Sequence, residues 1–247
     1  MANKMSRLTF LAIFILLSPA TSADQTQEWL RMLDNPRYSS QQLKPENKLL
    51  EYSKYDMSTI LVPRIPFLGY IGNEYRRLNI YFTSVSKSPK EDNLYLVLGI
   101  SLVGENKCSF QGTIQIDQVR ELQALHYGVD NIYKDAGIRA QGALIGHYKF
   151  VETPDHNHCG VFKGIMTAFW VVDRNGIIHS DHIEWYSDNY RNNQFIGTWT
   201  EYGKSKEVVA NWGEARIPFS SKLDIGAGEF GVNPKYLDMG WEELYMP

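Results

Sequence analysis

Cysteine is scarce in this 247-residue chain: Cys108 and Cys159 are the only two, so at most one internal disulfide can form. The local signatures of several enzyme classes are missing as well, since there is no G-x-S-x-G elbow, no H-E-x-x-H pair and no phosphate-binding P-loop. Internal repeats, low-complexity tracts and Asn-x-Ser/Thr acceptor sites are also absent. Nor is there an apolar run of the roughly 20 residues that span a bilayer.

The chain does begin with a short apolar run. Lys4 and Arg7 precede Leu8 to Leu17, followed by Pro19 and small residues up to Ala23, the pattern of a secretory leader removed after Ala23. No cysteine lies near that point to carry a lipid. The remaining chain holds 23 basic and 28 acidic residues, a net charge of -5 that offers no electrostatic reason to bind nucleic acid or anionic lipid. The expectation is a secreted or periplasmic protein without membrane insertion, built as a leader (1–23), a helix and linker (24–48) and one β domain (49–247).

Export places the two cysteines where a bridge is the default. "CSFQGTIQI" alternates Cys108, Phe110, Gly112, Ile114 and Ile116 against Ser109, Gln111, Thr113 and Gln115, the period of a half-buried strand with Cys108 inward. A strand over 138–151 running back beside it brings residues 152–160 to the same end of the sheet, and Cys159 near Cys108. Strands two apart in a flat sheet sit about 9–10 Å from each other, whereas a disulfide needs Cα atoms within about 7 Å, so the sheet must curl or the loop must fold over.

"ETPDHNHCG" also raises a metal reading. With Cys159 bridged, His156 and His158 remain beside Asp155, and His179, Asp181 and His182 in "HSDH" offer further ligands. Zinc needs three or four such donors at one point, and nothing local joins the two groups, so no cofactor is called for.

"DQTQEWLRMLDNP" reads as a short helix with Trp29, Leu30 and Leu33 on one face, stopped by Pro36. Residues 37–48 read as a polar linker. Strands are expected at 59–62, 78–85, 94–103, 108–116, 138–151, 161–172, 177–186, 195–202 and 207–212, with residues 117–137 a helix or long excursion and an irregular tail after Pro218. Asn175-Gly176 suits a two-residue type I′ turn, which would set Val172 opposite His179, Trp170 opposite Asp181 and Phe169 opposite His182. Short strands joined by tight turns imply an all-β fold, a mainly antiparallel barrel or sandwich with a short N-terminal helix.

Trp170, Trp185, Trp199 and Trp212 recur 13 to 15 residues apart, about one per strand, as either a core layer or an aromatic ligand platform. "DNYRNNQ" would set Tyr190, Arg191, Asn192, Asn193 and Gln194 at its rim, with Arg216 beside Trp212. Asp181, Glu184, Glu214 and Glu229 are the carboxylates from which a glycosidase pair would come.

"FIGTWT" resembles the Gly-x-Trp element of lipocalin and avidin-like barrels, although there it lies on the first strand and here Gly197 and Trp199 come late. "NNQFIGTWTEY", "NWGEARIP" and "LDIGAGEF" are similar to the C-terminal signature of a family of secreted bacterial proteins of unassigned function. That resemblance implies export and one folded domain and names no catalytic residue. The leading expectation is a non-catalytic binder of a small molecule, glycan or protein partner; the alternatives are a glycan hydrolase and a metal-binding protein. Mass spectrometry of the exported protein should find a chain starting at Asp24 with neither thiol open to alkylation; a retained leader or two free thiols would contradict this reading.

Overall fold

The computed structural model describes residues 22–35, 42–155, 157–188 and 190–244. Most of the leader and His156 lie outside these residues. The chain forms helices α1 (Ser22–Leu33), α2 (Leu49–Tyr52) and α3 (Ser58–Leu61), and strands β1 (Leu68–Ile71), β2 (Arg76–Arg77), β3 (Asn79–Lys87), β4 (Leu94–Val103), β5 (Asn106–Glu121), β6 (Ala140–Glu152), β7 (Gly160–Val172), β8 (Ile178–Ser180), β9 (Asn192–Glu201) and β10 (Glu207–Glu214). All pairings are antiparallel, in the order β2-β1-β10-β9-β7-β6-β5-β4-β3, with β8 added on β7. The sheet curls into a half-barrel, and Leu78 N donates to Gly69 O (2.9 Å), bringing the start of β3 to β1.

The curl follows from what lies on the concave face. Tyr95, Phe110, Tyr148, Phe150, Phe162, Phe195 and Trp212 point inward from five neighbouring pairs and fill it, while glycines occupy inward positions between them. Gly164 and Gly197 are direct cross-strand partners, and a Cβ on either would stand 2.1 Å from a carbonyl oxygen of the other strand. The strands close in on their concave side only because no side chain separates them there. Trp212 then stacks on Phe195 (centroids 5.0 Å apart, 12° between planes), and Tyr148 packs edge-on to both.

The convex face is covered in two places. Trp29 and Leu33 of α1 pack on Ala143, Ile145 and Ile196, with Trp29 Nε1 donating to Thr167 Oγ1 (3.2 Å). The irregular tail lays Ile217, Leu223, Val232, Tyr236 and Trp241 over Tyr70. Strand β6 is therefore buried on both faces along its first half, and strict alternation appears only from His147 onward.

Several sequence expectations need correction. Residues 59–62 are not a strand: Asp56 Oδ1 caps Ser58 N (2.9 Å), and α3 turns there to plug one end of the half-barrel with Ile60 and Leu61. The reading also missed β1, whose four residues are too few to display a period. The loop between β7 and β8 spans residues 173–177, longer than a two-residue Asn175-Gly176 turn. Asp173 Oδ1 accepts from both Asn175 N and Ile177 N (2.9 Å each), so the register moves by one and Trp170 faces Ser180, Val171 His179 and Val172 Ile178. Strand β8 accordingly ends at Ser180, and 181–188 and 190–191 are loop. The supposed linker is tied down from residue 42 on: Leu43 is buried against Leu122, and Lys44 N donates to Glu121 O (2.7 Å).

Replacing Gly164 with alanine should cost about 1–3 kcal/mol, the range for overpacking a tight site. Urea denaturation measures it, and a midpoint equal to wild type would contradict this account of the curl.

Candidate functional site

The two ends of the half-barrel differ. At the closed end, Tyr52, Met57, Ile60, Leu61 and Phe67 plug the interior. Glu121 fastens this plug by accepting from Lys44 Nζ (2.9 Å), Lys48 Nζ (2.9 Å) and Tyr52 Oη (2.8 Å). Partial burial pushes that carboxyl up, and these donors outweigh it and hold it at about 2.

At the other end the β1–β2, β4–β5, β6–β7 and β9–β10 connections surround an open mouth of about 910 Å³. Phe162 and Trp199 form its aromatic floor, and Ile71, Val103 and Val208 add apolar walls. Beneath lies Glu152, 3% exposed, on the inward parity of β6. Its Oε2 accepts from Trp199 Nε1 (2.9 Å) and Gly160 N (2.6 Å), and its Oε1 from Ser101 Oγ. The indole plane is thereby fixed to a carboxylate rather than left to rotate.

The disulfide Cys108–Cys159 forms the adjoining wall, with Cα atoms 6.2 Å apart. Strand β6 ends at Glu152, and the bridge closes over that end to draw β5 and β7 together. At the rim, charges pair with one another, Lys163 with Glu207 (2.7 Å), Lys204 with Glu201, and Arg76 with Glu74 (3.9 Å), and His158 Nδ1 lies 3.2 Å from Glu201 Oε1. The lysine hydrogen bonds hold Glu201 and Glu207 below the usual carboxylate range, so both are ionised and matched.

The residues singled out from sequence divide between these places. Of the four tryptophans only Trp199 faces the mouth. Trp170 and Trp212 are fully buried, packed on Tyr52 and Phe195, and Trp185 lies in the closed-end loop under the Arg64 guanidinium (4.4 Å). Tyr190 also belongs to the closed end, where its hydroxyl meets His182 Nδ1 (2.9 Å). Arg191 lies over Trp29 (5.4 Å), and Arg216 is held by Asp224 Oδ2 (2.6 Å) and the carbonyls of the tail. Asn192, Asn193 and Gln194 do not form a rim; they are buried at the start of β9. Asn192 is a joint: its Oδ1 accepts from Phe169 N (2.7 Å), and its Nδ2 donates to Asp181 O (3.2 Å), standing in for backbone between β8 and β9.

Among the described residues, the histidine candidates do not converge. His158 pairs with Glu201 at the mouth, His179 with Asp173 on the hairpin, and His182 with Tyr190 at the closed end. Among the carboxylates, Glu184 and Asp181 lie on the closed-end loop and Glu229 in the tail, so none borders the mouth. Glu214 is buried and takes hydrogen bonds from Arg64 N (3.2 Å) and Asn193 Nδ2 (3.4 Å), with burial pushing its carboxyl up. The reading overlooked Glu152, Ser101, Phe162, Glu201 and Glu207. Parity offered a signal for Glu152, because Tyr148, Phe150 and Glu152 share one face, and an acid on an apolar face needs a reason.

Compared with models of known families, curated proteins and solved structures, the chain matches none.

Asp181 supplies a test of the closed end. Burial pushes its carboxyl up to about 6, against hydrogen bonds from Ile183 N and Gln141 Nε2 that pull it down. A folded value above the ordinary one of 3.8 means that folding penalises the charged form. The stability tied to protonation is full below the ordinary value and is lost as pH rises through about 6. His182, lowered by burial and by Arg64, works in the opposite direction below 6.5, so the comparison must be with Asp181→Asn. Relative to that variant, wild type should gain about 1 kcal/mol in unfolding free energy between pH 7 and pH 5. Parallel curves would contradict the burial of this charge.

Proposed function

We propose that this is an exported binding protein whose ligand enters the open mouth. The preferred ligand is a small, uncharged, ring-bearing molecule rich in hydroxyls, such as a glycan unit. One observation carries the reading: a mouth of about 910 Å³ over an indole fixed to a buried carboxylate. That volume lies within the range of small-molecule sites, and such sites combine apolar walls with few, well-placed polar groups. Trp199 offers a flat face, backed by the buried Phe162, while Asn73 and Asn106 offer hydrogen-bonding groups among the lining residues.

Charge decides between ligand classes. Most rim ions are paired among themselves, with Lys206 the exception, so a charged ligand would compete with those pairs, whereas a neutral polyol adds hydrogen bonds without breaking them. The Cys108–Cys159 bridge fits an oxidising compartment, and among the described residues no helix is long and apolar enough to cross a membrane.

Thermal-shift screening of neutral oligosaccharides, charged sugars and lipids tests the reading, since a ligand bound only by the native state raises the midpoint. A neutral glycan should give the largest shift. Trp199→Ala should weaken its binding about tenfold or more, about 1.4 kcal/mol, and Trp185→Ala at the opposite end should leave it unchanged. Loss of binding in Trp185→Ala alone would move the site to the closed end.

A further inference from the structure

Beside the mouth lies a second constellation, which shares Glu152 with it. Cys108 Sγ, Cys159 Sγ and a Glu152 carboxylate oxygen all lie within 4.8 Å of one another, and all three residues are buried. Asp155 Oδ1 stands 4.0 Å from Cys159 Sγ, at the exposed edge of this cluster rather than within it. Two sulfurs and two carboxylates are an acceptable donor set for a thiophilic divalent ion, and tetrahedral sites are built from four such ligands.

In the oxidised protein the sulfurs bind each other and have no thiolate to offer. We propose that the reduced protein binds one zinc-class divalent cation through Cys108, Cys159 and Glu152, with Asp155 completing the shell, so that disulfide and metal are alternative closures of the same wall.

The chemistry balances without any group the protein must supply. A dithiol reductant gives two electrons and two protons to the Cys108–Cys159 bond, yielding two thiols and its own disulfide. Metal binding then releases the two thiol protons, because thiolate is the ligand. The other groups are already positioned. Ser101 and Gly160 N hold the Glu152 carboxylate, and the hydrogen bond from Trp199 Nε1 lies behind it as an outer-shell support. Asn106 Nδ2 donates to His158 O (2.9 Å), which keeps the loop carrying Cys159 against the start of β5 even when the covalent bond is absent.

This inference does not depend on what the mouth binds. The test adds cadmium or zinc to the full mature chain under anaerobic conditions, after reduction and removal of the reductant, alongside the oxidised protein. The reduced protein should take up one ion per chain and show the ultraviolet cadmium–thiolate charge-transfer band, and the oxidised protein should show neither. Glu152→Gln should raise the dissociation constant at least about tenfold, since even outer-shell changes cost 10–100-fold. Asp155→Asn, on the loop and outside the sheet, provides a second variant. Several results would overturn the proposal: a folded reduced chain without the band, uptake unchanged in both variants, or a reduced chain that loses its far-ultraviolet circular dichroism and does not regain it with metal.

Discussion

The structure at the open end depends on one buried carboxylate. Glu152 ends β6 facing the core, where an ionised acid without support would be costly. Support arrives from three directions: the hydroxyl of Ser101 on β4, the amide of Gly160 opening β7, and the indole of Trp199 on β9. Four strands of the half-barrel are thus connected at one point, beside the covalent link between the start of β5 and the residue before β7. The mouth keeps its shape because polar groups that would otherwise be wasted in the core are spent holding an aromatic ring in place.

The contrast between the ends follows from the way the interior is filled. Aromatic rings occupy the middle of the concave face, and glycines opposite them let the strands approach. On one side the chain supplies α2, α3 and Phe67 as a plug, itself fixed by Glu121. Among the described residues, nothing equivalent fills the side bordered by Trp199 and Phe162. The closed end concentrates titratable groups with displaced pKa values, Asp181, His182, Tyr190 and Glu214, and burial is the first cause of each displacement. Their hydrogen bonds run to one another and to nearby backbone, as in a structural network around the β8–β9 joint.

Sequence patterns revealed much of the fold and little of the site. The alternation of "CSFQGTIQI" oriented Cys108 correctly, and geometry then required a curled sheet or folded loop for the bridge to form. β6 was harder because both its faces are buried by α1 and the core, which erases the period along its first half. The hairpin register slipped because Asp173 accepts two amides and lengthens the turn, an effect of one side chain that the Asn-Gly pair does not report. For the site, spacing along the chain suggested that four tryptophans act together, yet parity and depth place two in the core and the other two at opposite ends. Glu152 could have been found from its parity, but its partners Ser101 and Trp199 are 51 and 47 residues away, and no local pattern brings them together.

The claim on which the account rests is that Trp199 is held by a hydrogen bond to the buried Glu152 carboxyl before any ligand arrives. Solvent exchange of the Trp199 indole proton, followed by nuclear magnetic resonance on the oxidised protein alone, measures this directly. The account predicts a proton protected from exchange in wild type and exposed in Glu152→Gln. Rapid exchange in wild type, or equal protection in the variant, would contradict it.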